Sequence, residues 1–166
     1  MASVDRTSRI AQYASGPDRF RTALARIPHG AVQWRPGPGR WTVHEIVLHC
    51  ADSETNAHMR LRYLLAEANP VIAGYDQDHW ANYFDYHTLP LEPALATIAA
   101  VRANTVGILE RLDGQAWDRA GQHTEHGRYT VGMWLDTYAG HLDVHIAQME
   151  RNVAAWQHAF GLPVLR

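Results

Sequence analysis

His141-Leu-Asp-Val-His145 lies within a stretch that reads as the last long helix, Thr130 to about Phe160. Four positions make slightly more than one helical turn, so the two imidazoles leave the same side about 6 Å apart. Neutral imidazole is a common metal ligand, and a metal kept available for chemistry takes three protein ligands plus an open position. The pair is therefore half of a metal site. Asp143 does not complete it, because it lies roughly 200° around the helix from either histidine. The pair also departs from the metalloprotease helix, in which glutamate follows the first histidine; Leu142 stands there instead.

Other chemistries fail on spacing. A ferritin-like di-iron bundle needs Glu-x-x-His on inward faces, whereas Glu45 to His49 and Glu54 to His58 are each four positions apart. The single cysteine, Cys50, excludes a cysteine-rich zinc site and an intramolecular disulfide, and reads as a small core residue. No serine stands in a Gly-x-Ser-x-Gly setting. His49 could supply a third imidazole. Considered alone, however, a histidine on an inner helix face is more often a hydrogen-bonded core residue.

The bulk properties narrow the partners. A chain of 166 residues is expected to fold as a single domain, 1–166, with one core. The net charge is -2 and all 15 basic residues are arginine, scattered rather than clustered, which argues against nucleic acid as a partner. Without lysine there is no Schiff-base chemistry and no lysine-dependent phosphate loop. No apolar run approaches the ~20 residues of a membrane span, and the N-terminus lacks the pattern of a signal peptide. A cytoplasmic protein with no membrane partner is expected.

Four principal helices position the candidate residues, with no convincing strand. The first runs from about Asp5 to Ile27, with a kink or restart expected at Ser15-Gly16-Pro17. The second opens on Thr42-Val-His-Glu45, which has the form of a capping box, and runs to about Glu67 before Asn69-Pro70. It carries His49, with Glu45 and Asp52 one turn before and after on the same side. The segment 71–88 is aromatic and polar, with a short helix expected near Asp78–Tyr86; it either caps an end of the bundle or serves the site. The third helix begins near Leu91-Glu92-Pro93 and ends at Asp113-Gly114. On the last, Leu135, Leu142, Ile146, Met149 and Val153 form an apolar stripe. Trp134, Tyr138, His141, His145 and Gln148 form a semi-polar stripe beside it.

A family resemblance is carried by an ordered set of motifs. These are Trp41-Thr-Val-His-Glu-Ile-Val-Leu-His49-Cys-Ala-Asp52, Arg60-Leu-Arg-Tyr-Leu-Leu, Pro70 through Tyr75-Asp-Gln-Asp-His-Trp80, His123-x-x-His-Gly127, and Gly140-His141-Leu-Asp-Val-His145-Ile-Ala-Gln-Met. Together they resemble the DinB-like superfamily, in the branch that holds YfiT-type metal-dependent hydrolases and bacillithiol transferases.

The resemblance implies an all-α four-helix bundle of the DinB/YfiT type with long connections, often paired into homodimers. It also implies a divalent metal, zinc or nickel, on His49, His141 and His145. Its members do not share one reaction. Neutral imidazoles leave the metal its full charge, so a bound water or thiol loses its proton near neutral pH. A hydrolase and a transferase using bacillithiol, mycothiol or a similar thiol, each acting on a small electrophilic molecule, are thus both implied. With water, a nearby carboxylate would assist, and Glu45 and Asp52 are the candidates; Trp80, Tyr138 and Gln148 are candidate pocket residues. The competing expectation is a non-catalytic metal-binding bundle with a structural, dimerising or metal-sensing role.

Overall fold

The computed structural model describes residues 3–163. Its long helices are α1 (Ser3–Ala25), α3 (Val43–Ala66), α5 (Leu91–Leu109) and the consecutive pair α6 (Val131–Tyr138) and α7 (His141–Ala159). Short helices α2 (His29–Val32) and α4 (Gln77–Tyr83) lie in the connections, with strands β1 (Val71–Ile72), β2 (Ala120–His123) and β3 (Gly127–Thr130). α3 packs on α5, α5 on α1, α1 on α7, and α7 returns to α3. Helices consecutive in the chain, α1 with α3 and α5 with α7, thus lie across the diagonal of a four-helix bundle. Long connections are what such an order requires, since each must cross an end of the bundle.

The α3 start follows the expected chemistry. The Thr42 hydroxyl accepts from the Glu45 backbone N–H at 3.1 Å, and the Glu45 carboxylate accepts from the Thr42 N–H at 2.7 Å. α4 begins one residue earlier than expected, because Asp76 caps it by accepting from the His79 N–H.

Three expectations are corrected. α1 runs unbroken through Pro17. Pro17 has no N–H to offer the Tyr13 carbonyl, and Arg102 Nη1 donates to that oxygen instead, at 2.8 Å. Gly16 makes the approach possible, since a Cβ there would collide with Arg102 Nη1.

The last helix is two helices, separated at Ala139-Gly140, so His141 opens α7 rather than sitting mid-helix. Here too Arg102 takes a carbonyl, with Nη2 donating to Tyr138 O at 3.0 Å.

The third correction is a small sheet of order β1-β2-β3, where no strand was expected. β1 pairs parallel to β2, and β2–β3 is a hairpin in which His123 faces Gly127, a glycine with φ +73° that permits the tight turn. Strands of two to four residues, one of them Ala-Gly-Gln-His, carry no usable alternation.

The core has two apolar clusters. One gathers Phe20, Val47, Cys50, Ile98, Leu142 and Met149. The other gathers Tyr13, Ala57, Leu61, Leu109, Trp134 and Leu135. Along every long helix the step between the clusters falls at a polar or irregular point: Gly16-Pro17 on α1, Glu54 on α3, Arg102 on α5 and the α6–α7 break. A buried polar layer therefore crosses the bundle, with Glu54 and Arg102 both 0 % exposed at its centre.

Candidate metal centre

Two features of the fold assemble the site. The capped start of α3 sets the register that turns His49 inward, and the α6–α7 break places His141 and His145 on the first turns of α7, facing it. One ring nitrogen from each of the three histidines falls within a group whose members all lie within 4.8 Å of one another. The rings of His49 and His145 are 4.9 Å apart, those of His49 and His141 5.9 Å, and those of His141 and His145 4.7 Å.

Each of the α7 imidazoles is oriented through its Nδ1. His141 Nδ1–H donates to Glu54 Oε1 at 2.9 Å, and His145 Nδ1–H donates to Gln148 Oε1 at 2.9 Å. That leaves both Nε2 lone pairs available, with the Ser53 hydroxyl 3.3 Å from that of His141. Outer-shell acceptors of this kind fix the tautomer and raise ligand basicity. His49 differs. It is packed under Trp41, with ring centroids 4.6 Å apart, and its buried Nδ1 has no hydrogen-bond partner.

The electrostatics keep His49 and His145 neutral. Burial, then the neighbouring His145 and His141, push the His49 pKa down to about 2. Burial and then His141 push that of His145 down to about 4, against the hydrogen bond to Gln148. Neutral imidazoles are the form that binds a metal. Three imidazole nitrogens this close, one of them from a histidine whose buried Nδ1 has no partner, fit a divalent ion.

Behind His141 stands a buried ion pair. Arg102 holds Glu54 with two hydrogen bonds, Nε to Oε2 at 2.9 Å and Nη2 to Oε1 at 2.6 Å. Burial alone would raise the Glu54 carboxyl, but the hydrogen bond from His141 and the Arg102 charge hold it below the usual range. Glu54 is therefore a full carboxylate aimed at His141. Replacing it with glutamine keeps an acceptor and removes the charge. Glu54→Gln is expected to weaken divalent-metal affinity by roughly 10- to 100-fold in a competitive chelator titration.

The remaining expected residues fall differently. Gln148 lines a cleft of about 390 Å³ with His145, Trp41, Arg40, Gln77 and Asp78. Tyr138 is buried with its ring 5.6 Å from that of His141. Trp80 packs on Tyr75 and Phe84 and against the first core cluster. Glu45 is engaged by Arg35 Nη2 at 2.6 Å and by the helix cap, and Asp52 accepts a short hydrogen bond from the Tyr86 hydroxyl. Neither carboxylate belongs to the three-histidine group. Asp143 faces α1, where it receives hydrogen bonds from Arg19 and Gln12.

Sequence reasoning missed three residues. Glu54 enters the sequence reading only with the di-iron spacing, Arg102 stands within the third helix without a role, and Asp78, the carboxylate that lines the cleft, is one of several polar residues in the 71–88 segment. The partners of Glu54 and Arg102 are 36 to 89 positions away in the chain, and no local pattern announces such pairs. For Arg102, arginine on an otherwise apolar helix face was a usable signal. A larger groove, about 760 Å³, runs between α1 and the opposite face of α7, but none of the three histidines lines it.

Comparison with known proteins adds a family. A family model described as the DinB superfamily matches residues 12–149. A protein of Oceanobacillus iheyensis named "putative metal-dependent hydrolase" is 37% identical over 111 residues, 67% of this chain and 64% of that one. The matched stretch thus spans just under two thirds of that relative. A Bacillus cereus protein of the same name is 30% identical over 133 residues, 80% of this chain and 76% of that one.

Among solved structures, YfiT from Bacillus subtilis, described as "a probable metal-dependent hydrolase with an unusual four-helix bundle topology", superposes with a TM-score of 0.84. The match covers 98% of this chain and 91% of that one at 23% identity, a likeness of fold. By the span of the family model and the identity to these relatives, the chain belongs to the DinB superfamily.

Proposed function

We propose that the chain is a metal-dependent enzyme acting on a small molecule, with His49, His141 and His145 holding one divalent ion, zinc or nickel. The observation that carries this reading is the convergence of three imidazole nitrogens within 4.8 Å, two of the rings pre-oriented by Glu54 and Gln148. The ion, when bound, supplies Lewis acidity that lowers the pKa of a coordinated water or thiol.

The protein's own residues do the rest. Glu54 and Gln148 hold the imidazole tautomers, Trp41 shields His49, and the cleft beside His145 admits substrate. Because Glu45 and Asp52 are held by other partners, the carboxylate available to take a proton in the cleft is Asp78. Its presence favours water as the nucleophile, as does the hydrolase name of the relatives. A low-molecular-weight thiol such as bacillithiol or mycothiol is the second nucleophile consistent with the site, since it ionises without a strong base. A purely structural ion is disfavoured by the position of His145 on the cleft wall.

The test is metal analysis of protein purified without a histidine tag. About one divalent ion per chain is expected, falling to background in His145→Ala. Unchanged metal content in that variant would overturn the assignment.

A further inference from the structure

On the His141 side of the three-histidine group, a set of hydrogen-bond donors comes together. Ser53 and Arg60 come from α3, Tyr75 from the segment between β1 and α4, and Tyr138 from the end of α6. Ser53 Oγ lies 3.3 Å from His141 Nε2 and stands beside both the Tyr75 and Tyr138 phenols. Arg60 Nη1 donates to the Tyr138 hydroxyl at 3.0 Å, and Nη2 donates to Ala73 O at 2.6 Å. The guanidinium lies 5.9 Å from the centre of the Tyr75 ring.

Two atoms in this set are buried without a well-formed partner, the Tyr75 hydroxyl and Arg60 Nε. Orphaned buried donors are rare because each forfeits its hydration. Arg60 also lacks a counter-charge: among the described residues no carboxylate pairs with it. The carboxylate whose charge reaches Tyr75 is Asp52, already engaged by Tyr86. The Arg60 charge acts on Tyr75, Tyr129, Tyr138 and His123 together.

The set therefore offers guanidinium and hydroxyl donors beside the candidate metal centre, with no anion of the protein's own to receive them. The Tyr138 hydroxyl accepts from Arg60 and keeps its own hydrogen to give. The Ser53 hydroxyl, which in the described structure faces the His141 Nε2 lone pair, is released to donate when that lone pair is engaged by an ion.

We propose that Arg60, Tyr75 and Tyr138 seat an anionic oxygen group of the substrate, a carboxylate or a phosphate, beside the His141 edge of the three-histidine group. This rests on the metal-enzyme reading above and narrows its substrate to acids. The charge-assisted bonds fix the orientation of the molecule beside the three-histidine group.

The test uses untagged, zinc-loaded protein titrated with ¹³C-labelled acetate and, separately, with inorganic phosphate, reading the saturable broadening of the ligand's own ¹³C or ³¹P resonance. Saturable binding of one or both anions to the wild type is expected, and the anion that saturates identifies the group. Arg60→Gln should weaken it at least tenfold at unchanged zinc content. Tyr75→Phe, which removes the hydroxyl and keeps the ring packing, should weaken it several-fold and decides the matter if Arg60→Gln does not fold.

Equal affinity in the wild type and the folded variants, or no saturable binding to the wild type, overturns the proposal; equal affinity that vanishes with the zinc assigns the anion to the ion alone. If the wild type holds no zinc yet binds the anion in an Arg60-dependent way, the seat stands and the metal reading falls.

Discussion

Arg102→Leu is expected to destabilise the protein by roughly 3–5 kcal/mol, the loss typical of breaking one side of a buried ion pair. Arg102 is fully buried and serves three parts of the bundle at once. It neutralises Glu54, supplies the donor that Pro17 denies to the Tyr13 carbonyl, and donates to the Tyr138 carbonyl next to the α6–α7 break. Its guanidinium also lies 4.1 Å from the centre of the Tyr13 ring. Leucine would leave a carboxylate and two carbonyls without these donors in a layer that water does not reach.

The measurement is urea unfolding followed by helical circular dichroism. The double variant Glu54→Leu/Arg102→Leu should recover part of the loss, because the unpaired charge is gone while the two carbonyls still lack Arg102. An unchanged midpoint in Arg102→Leu would show that the polar layer contributes nothing to stability. Because Glu54 also orients His141, the single variant should bind metal more weakly even where it remains folded.

His49→Leu should abolish high-affinity metal binding and at the same time make the protein more stable in the presence of EDTA, by about 1 kcal/mol. The reasoning follows the environment of the ring. His49 is 2 % exposed, its Nδ1 has no hydrogen-bond partner, and it sits among residues of the first core cluster on α3. An orphaned buried polar atom costs about 1–3 kcal/mol, and a leucine of similar volume removes that cost.

Chelator-treated wild type and variant would be compared by thermal or urea unfolding, and metal content measured on the untreated proteins. A histidine kept for its hydrogen bonds would behave in the opposite way, since its replacement lowers stability. Lower stability of His49→Leu in EDTA would therefore count against a ligand role. The opposite signs of the two effects separate a site held at a cost from a residue that merely fills the core.

The helices were legible where the signal is local. The Thr42–Glu45 capping box, the Asn69-Pro70 stop and the Asp113-Gly114 stop lie within a few residues of the ends they mark, so α3 and α5 end close to where the pattern places them. The His141–His145 spacing likewise reports a shared face without any tertiary information. The misreadings share one cause. Pro17 breaks a helix only when its missing hydrogen bond goes unreplaced, and the replacement comes from Arg102, 89 positions from the Tyr13 carbonyl it serves. Similarly, the last helix reads as continuous because Ala139-Gly140 is a weak local signal, whereas Arg102 takes the Tyr138 carbonyl beside the break. The sheet escaped notice because β1 is stabilised by a parallel partner some 50 residues away, not by its own composition.

By itself, the amino-acid sequence determined that this is a helical protein with an i, i+4 histidine pair on one inner face, because helical period and capping chemistry are set within single turns. Which histidine stands opposite that pair, which carboxylate orients it, and which arginine permits a proline in α1 were decided only by the tertiary structure. Those partners come from separate helices, and a one-turn shift between helices would replace each of them. The His141–His145 spacing thus supplies two imidazoles, and the packing of α3 against α7 sets what faces them.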